Sequence, residues 1–83
     1  MKKKETFKAT TSRGTELEVI IKIKDEGYGS YELYDEETKG ERVYAEGGLW
    51  FREKYLIDYD GVGTLPDYIM EKLEEMEYSM DQL

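Results

Sequence analysis

The chain reads as an α+β domain, an antiparallel β-meander of four to six strands with one C-terminal amphipathic helix packed on the sheet. Three observations carry that reading. Apolar and polar residues alternate through several stretches before Tyr59, which is the period of strands buried on one face. Short clusters rich in Gly, Asp and Glu separate those stretches, as turns do. Beyond Pro66, the only proline, the apolar residues recur at a helical spacing instead. No repeat or linker divides the 83 residues, so a single domain spanning 1–83 is expected, with strands within 4–59 and a helix over about 65–80.

Taken in order, Glu16 to Lys24 is the clearest strand, with Leu17, Val19, Ile21 and Ile23 on one face. Thr6 to Thr11 is its hairpin partner. A three-residue loop, Ser12-Arg13-Gly14 with Gly14 left-handed, sets Ala9 opposite Leu17 and Phe7 opposite Val19, whereas a two-residue loop would set Lys8 against an apolar residue. Asp25-Glu26-Gly27 turns the chain into a strand from Tyr28 to Tyr34, with Tyr31 and Leu33 on one face and Glu32 and Tyr34 on the other. The polar stretch Asp35 to Glu41 leads to a short strand from Arg42 to Glu46, in which Val43 and Ala45 alternate against Tyr44. Gly47-Gly48 is expected to break or bulge the ladder. Leu49-Trp50-Phe51 and Tyr55 to Tyr59 then form a hairpin around Arg52-Glu53, placing Leu49 opposite Leu56 and Trp50 opposite Tyr55. Asp60-Gly61-Val62-Gly63 is a loop, and Pro66 opens the helix, where a missing N–H is tolerated. Leu65, Ile69, Leu73, Met76 and Met80 fall on one stripe of that helix, flanked by Met70.

Composition narrows the chemistry. The chain has no His and no Cys, so it offers no imidazole base, thiolate or zinc-finger ligand set. No cofactor or metal is expected. Asp58-Tyr59-Asp60-Gly61 does not fit a calcium loop, because the glycine comes fourth and position twelve is Ile69. Gly61-Val62-Gly63 lacks the rest of a phosphate loop. A non-enzymatic protein is the expectation. No run of 18 apolar residues suggests a membrane span, and a cytoplasmic location is the default for a chain without cysteine.

The charge is uneven. Residues 1–24 hold seven basic side chains against three acids, while the remainder holds five against 17, within a formal net charge of -8. An excess of carboxylates disfavours direct binding of nucleic acid and favours a basic protein surface as partner. The densest cluster lies on the expected helix, which carries the six carboxylates Asp67, Glu71, Glu74, Glu75, Glu77 and Asp81; Asp67, Glu71, Glu74, Glu75 and Asp81 centre on nearly the opposite direction from the apolar stripe, with Tyr78 among them. Over 14 residue steps of roughly 1.5 Å this is about one charge per 4 Å, close to the ~3.4 Å spacing along one DNA strand. The like-charged pairs Asp67/Glu71 and Glu71/Glu75 each cost a few tenths of a kcal/mol, and Lys72 alone relieves them. A solvated face that keeps a small protein soluble would have the same composition. Asp35, Glu36 and Glu37 form a second acidic group. Eight tyrosines add rings suited to interfaces; Tyr28, Tyr34 and Tyr44 are expected on the sheet face away from the core, beside Glu32 and Glu46, where they would meet arginine-rich partners.

The string Gly47-Gly48-Leu49-Trp50-Phe51, then Leu56-Ile57-Asp58-Tyr59-Asp60-Gly61-Val62 and Leu65-Pro66, resembles a pattern shared by small, mostly uncharacterised proteins of bacteriophages and mobile elements. It covers roughly the C-terminal half. Glu53 stands where a turn glycine is usual in that pattern, and Gly63 where an aromatic is usual. The resemblance implies a phage origin, and hence residence in a host cytoplasm. Phages encode small acidic proteins that block host nucleic-acid machinery, including anti-CRISPR proteins and DNA mimics, which this chain matches in size and charge. The sequence thus leads to two expectations. One is an acidic inhibitor that occupies the nucleic-acid-binding surface of a host protein through Asp67, Glu71, Glu74, Glu75 and Tyr78, with Asp35, Glu36 and Glu37 second. The other is an assembly protein that associates through an exposed β edge.

Overall fold

A computed structural model describes residues 2–36 and 43–80. Five strands, β1 (Lys3–Thr10), β2 (Glu16–Ile23), β3 (Tyr28–Asp35), β4 (Val43–Arg52) and β5 (Tyr55–Tyr59), precede one helix, α1 (Asp67–Glu75). They form a single antiparallel sheet in the order β1-β2-β3-β4-β5. The architecture is therefore the α+β meander that the alternation predicts.

The first hairpin has the expected register, with Phe7 opposite Val19 and Ala9 opposite Leu17. Gly14 takes φ +86, and Thr11 and Thr15 close the loop through Thr11 N–H to Thr15 C=O at 2.9 Å. The Thr11 hydroxyl accepts from the N–H groups of Arg13 and Thr15. Leu17, Val19, Ile21, Ile23, Tyr31 and Leu33 are all buried on one face. They meet Leu65, Ile69, Leu73 and Met76 from α1 and its flanks, so the helix covers the odd-numbered side of β1 to β3. Each fully buried aliphatic side chain contributes roughly 1.5–3 kcal/mol.

Two expectations fail in the second half of the sheet. Gly47-Gly48 does not break the ladder; β4 runs unbroken from Val43 to Arg52. The irregularities fall elsewhere, at Tyr44, which is skipped between the pairs Leu33–Ala45 and Tyr34–Val43, and at Ile57, skipped between Trp50–Asp58 and Phe51–Leu56. The last hairpin also turns one residue later than expected, at Glu53-Lys54, with Phe51 opposite Leu56 and Arg52 opposite Tyr55. That register buries Phe51 and Leu56 together, and it puts both turn residues, Glu53 at φ 50 and Lys54 at φ 73, in the left-handed region. Two-residue hairpins require this conformation, which Asn-Gly adopts at less cost. Arg42, expected to start β4, and residues 37–42 in general lie outside the described residues.

The glycines of β4 serve a tertiary contact instead. The chain leaving β5 passes so close to β4 that a Cβ on Gly47 would lie 2.0 Å from the Asp60 carbonyl oxygen, and one on Gly61 would lie 2.0 Å from that of Glu46. No side chain fits at either position. Tyr31, opposite Gly47 on the core side, fills the space above the glycines and donates its hydroxyl to the Asp60 carbonyl. Asp60 also bonds Gly48 through both its backbone N–H, at 3.1 Å, and its carboxylate. Burial, with the Asp60 charge beside it, pushes the Tyr31 hydroxyl up to about 12.

Two predictions follow from this contact. Gly61→Ala, which meets both a backbone clash and φ +90, should lose at least about 2 kcal/mol in urea denaturation. Gly63→Ala, with open space around it, should stay within about 1 kcal/mol of wild type. In addition, a tyrosine whose folded-state pKa lies above its unfolded value stabilises fully below pH ~10 and loses that contribution as pH rises towards 12. Denaturant midpoints should therefore fall between pH 10 and 12, and Tyr31→Phe should make that fall shallower.

Candidate protein-binding surface

Helix α1 starts at Pro66, whose extended backbone (φ -61, ψ 146) leads into Asp67 without a side-chain cap. Asp67 in the first turn and Lys72 in the last complement the helix dipole. The apolar stripe puts Ile69 and Leu73 in the core. Asp67, Glu71, Glu74 and Glu75 consequently face outward, and all four are exposed. Over eight residue steps of about 1.5 Å they form an anionic strip roughly 12 Å long.

The helix is shorter than its periodicity predicts. It ends at Glu75, and the chain turns through Met76 and a left-handed Glu77, φ 74. Glu77 N–H bonds the Glu74 carbonyl and Tyr78 N–H the Leu73 carbonyl, each at 2.9 Å, which is the Schellman arrangement normally built on glycine. The turn carries Tyr78 inward. Its ring lies 4.4 Å from that of Phe51, Lys54 Nζ sits 4.8 Å above it, and the residue is 7% exposed. The expectation that Tyr78 belongs to the acidic face is thus corrected: it closes the core at the helix end. Ser79 goes on to bridge the outer edge of β5, accepting from Leu56 N–H and donating to the Lys54 carbonyl.

Countercharge on the helix is slight. Lys72 Nζ lies 3.3 Å from Glu75 Oε1 and 5.0 Å over the Phe7 ring, so the one helical cation leans towards β1. Among the described residues, no ion pair involves Asp67, Glu71 or Glu74. A groove of about 250 Å³ runs between α1 and β1, with Phe7, Ala9 and Tyr68 along it and Glu71, Lys72 and Glu75 at its rim. Burial, with Tyr44 near, raises the Tyr68 hydroxyl above its ordinary value. Tyr44, skipped by the bulge between β3 and β4, is exposed.

The second acidic group is not joined to the first. Glu36 is held by Lys8 of β1, 3.6 Å away, and Asp35 ends β3 opposite Leu17; Glu37 lies outside the described residues. Tyr28 and Tyr34 do occupy the sheet face away from the helix, with Glu32 opposite Glu46 between them. There Glu32 is the hub: Lys22 Nζ is 3.2 Å from Oε1, and the Tyr34 hydroxyl donates to Oε2 at 2.9 Å. Burial raises the Glu32 carboxyl, but the bonds from Tyr34 and Lys22 outweigh it and leave the group below its usual range. Among the described residues, no cluster of His, Cys, Asp and Glu has the arrangement of a metal site, and no helix is long and apolar enough to cross a membrane.

Because Glu77 occupies a position that favours glycine, Glu77→Gly should stabilise the fold by about 1 kcal/mol, seen as a rise of roughly 4–8 °C in Tm. A fall in Tm would show that the Glu77 side chain matters more than its backbone.

Comparison with protein-family models, curated proteins and solved structures finds no match to this chain.

Proposed function

We propose that this protein is an acidic protein-binding module whose α1 face docks on a basic protein surface of the kind that holds nucleic acid, as a phage-encoded inhibitor of a host protein would. The supporting observation is the outward strip of Asp67, Glu71, Glu74 and Glu75, with Lys72 drawn aside over Phe7. Such a strip offers carboxylates at about the density of phosphates along one strand, and arginine pairs with carboxylate and phosphate through the same bidentate geometry. The groove beside it, with Phe7 and Tyr68, gives the contact an apolar margin. Association through exposed charges is fast and salt-sensitive.

A second reading, assembly through an exposed strand edge, is favoured by one observation. The outer edge of β1 pairs with no described strand, whereas that of β5 is partly covered by Ser79. Lys3, Lys4 and Lys8 line β1, so a partner strand there would be acidic.

Titration with an arginine-rich helical peptide tests the first reading. Wild type should bind it at low salt and lose affinity steeply as salt rises. Reversing Glu71, Glu74 and Glu75 to Lys should weaken binding by about a hundredfold or more while leaving the circular dichroism spectrum intact. Binding that survives both the reversal and high salt would overturn the proposal.

A further inference from the structure

The sheet face turned away from α1 is covered by no other described element. Its charges are mixed, with Glu16 and Glu18 on β2 and Arg52 on β4, but they are sorted at the end of the strands where Lys2, Lys4, Lys22 and Lys24 lie on or next to β1 and β2 and Asp58 lies on β5. The even-numbered positions of β1 and β2 present Lys4 opposite Lys22, with Lys2 and Lys24 continuing the two strands. Those of β3 to β5 present Glu32 opposite Glu46, and Trp50 opposite Asp58. Lys4 with Lys22 and Glu32 with Glu46 are thus like-charged neighbours, which is unfavourable across adjacent strands, whereas Lys8 and Glu18 are complementary. Lys22 and Glu32 relieve one another. Among the described residues, no ion pair includes Lys2, Lys4, Lys24, Glu46 or Asp58.

One row of this face is self-complementary. From β1 to β5 it reads Lys2, Lys24, Tyr28, Trp50, Asp58, as the pairings of Lys3 with Ile23, Ile23 with Gly29, Tyr28 with Trp50, and Trp50 with Asp58 require. Lys24 Nζ leans over the Tyr28 ring at 5.4 Å, Tyr28 meets Trp50 at 5.5 Å, and Trp50 lies over Gly48, where a Cβ would be 2.7 Å from the indole. We infer that two copies of this chain pack face to face through these sheets, about a twofold axis parallel to the strands and above β3. That rotation lays β1 of one copy over β5 of the other, and β2 over β4. Lys2 and Lys4 then face Asp58, Lys24 faces the Trp50 ring, and the outward residues of β3, Tyr28 and Glu32, face their own copies, each Glu32 with Lys22 beside it as countercharge. A twofold axis across the strands would set β1 on β1 and lysine on lysine, so charge selects the first arrangement. Aligned sheet packing of this kind is common, and an isologous contact needs only such self-complementarity.

Five strands about 4.8 Å apart and eight residues of about 3.3 Å each make a face of roughly 600 Å² in plan, below the ~800 Å² per partner of an ordinary stable interface, so the dimer belongs to the weak, concentration-dependent class. The arrangement also leaves both α1 helices outward, on opposite sides of the dimer, so their carboxylates do not confront each other.

Trp50, the only tryptophan, reports on the contact directly. Sedimentation of the full chain over a range of concentrations at low salt should show a monomer–dimer equilibrium, with Trp50 emission shifting to the blue as the dimer forms. The double variant Lys2→Glu/Lys4→Glu and the single variant Asp58→Lys should each weaken dimerisation by about tenfold or more. An equimolar mixture of the two should recover a heterodimer, because each interface then opposes unlike charges again. Glu46→Lys, checked by circular dichroism, gives an independent reversal on the acidic half and should also weaken the dimer. A monomer at every concentration would overturn the inference. So would self-association that Asp58→Lys leaves intact, which is the result expected of pairing through the β1 edge, or self-association abolished by Glu71→Lys, which would point to a helix seated on the lysines of the next copy.

Discussion

The fold depends on one close approach of backbone to backbone. Where the chain leaves β5, Asp60 and Gly61 press against Glu46, Gly47 and Gly48 at a separation that excludes any side chain on either glycine. This contact decides the direction in which the chain crosses back over the sheet, and hence where Leu65, Ile69 and Leu73 come down on β2 and β3. Tyr31 locks it by filling the space over Gly47 and bonding the Asp60 carbonyl. Removing the hydroxyl there would leave a buried acceptor without this donor, a cost of about 1–3 kcal/mol that exceeds the net worth of an ordinary hydrogen bond. The tyrosine is therefore a polar member of the core with a specific task.

Placing the helix in this way gives the molecule two unlike exterior surfaces. The outer side of α1 is almost purely anionic, since its apolar stripe is spent on the core and its one lysine leans towards Phe7. The opposite side of the sheet is mixed, with lysines on β1 and β2 beside Glu16 and Glu18, and Glu32, Glu46 and Asp58 on β3 to β5. A single sheet lies between them, so charges on one surface do not neutralise those on the other at contact distance. The lysines of the first hairpin engage Glu36 and Glu32 and leave Asp67, Glu71 and Glu74 unopposed. It is this separation, more than the net charge, that makes a partner-binding reading of the helix reasonable.

The backbone bears some strain to reach this arrangement. Glu53, Lys54 and Glu77 all take left-handed conformations without being glycine, each at a cost of about 1–2 kcal/mol. Lys54 and Glu77 flank Tyr78, whose ring fills the end of the core beneath the Lys54 ammonium. The two turns thus close on the same aromatic residue. The resemblance string is likewise structural in its clearest parts: Gly47-Gly48 and Asp60-Gly61 are far apart in sequence but form one contact.

Where a side chain's burial is decided by its immediate neighbours, the sequence alone determined the outcome. Alternation in β2 and β3 specified which residues face the core, the need to oppose apolar to apolar chose the loop length of the first hairpin, and the 3.6-residue period turned Asp67, Glu71, Glu74 and Glu75 outward. Only the tertiary structure decided the rest. Trp50-Phe51 and Tyr55-Leu56 can be paired in more than one register, and the one adopted sets Phe51 opposite Leu56 with its ring against Tyr78. The helix likewise ends at Glu75, although its periodicity runs on to Met80, and the left-handed Glu77 turns Tyr78 onto Phe51. Such contacts join residues tens of positions apart, and no local period records them.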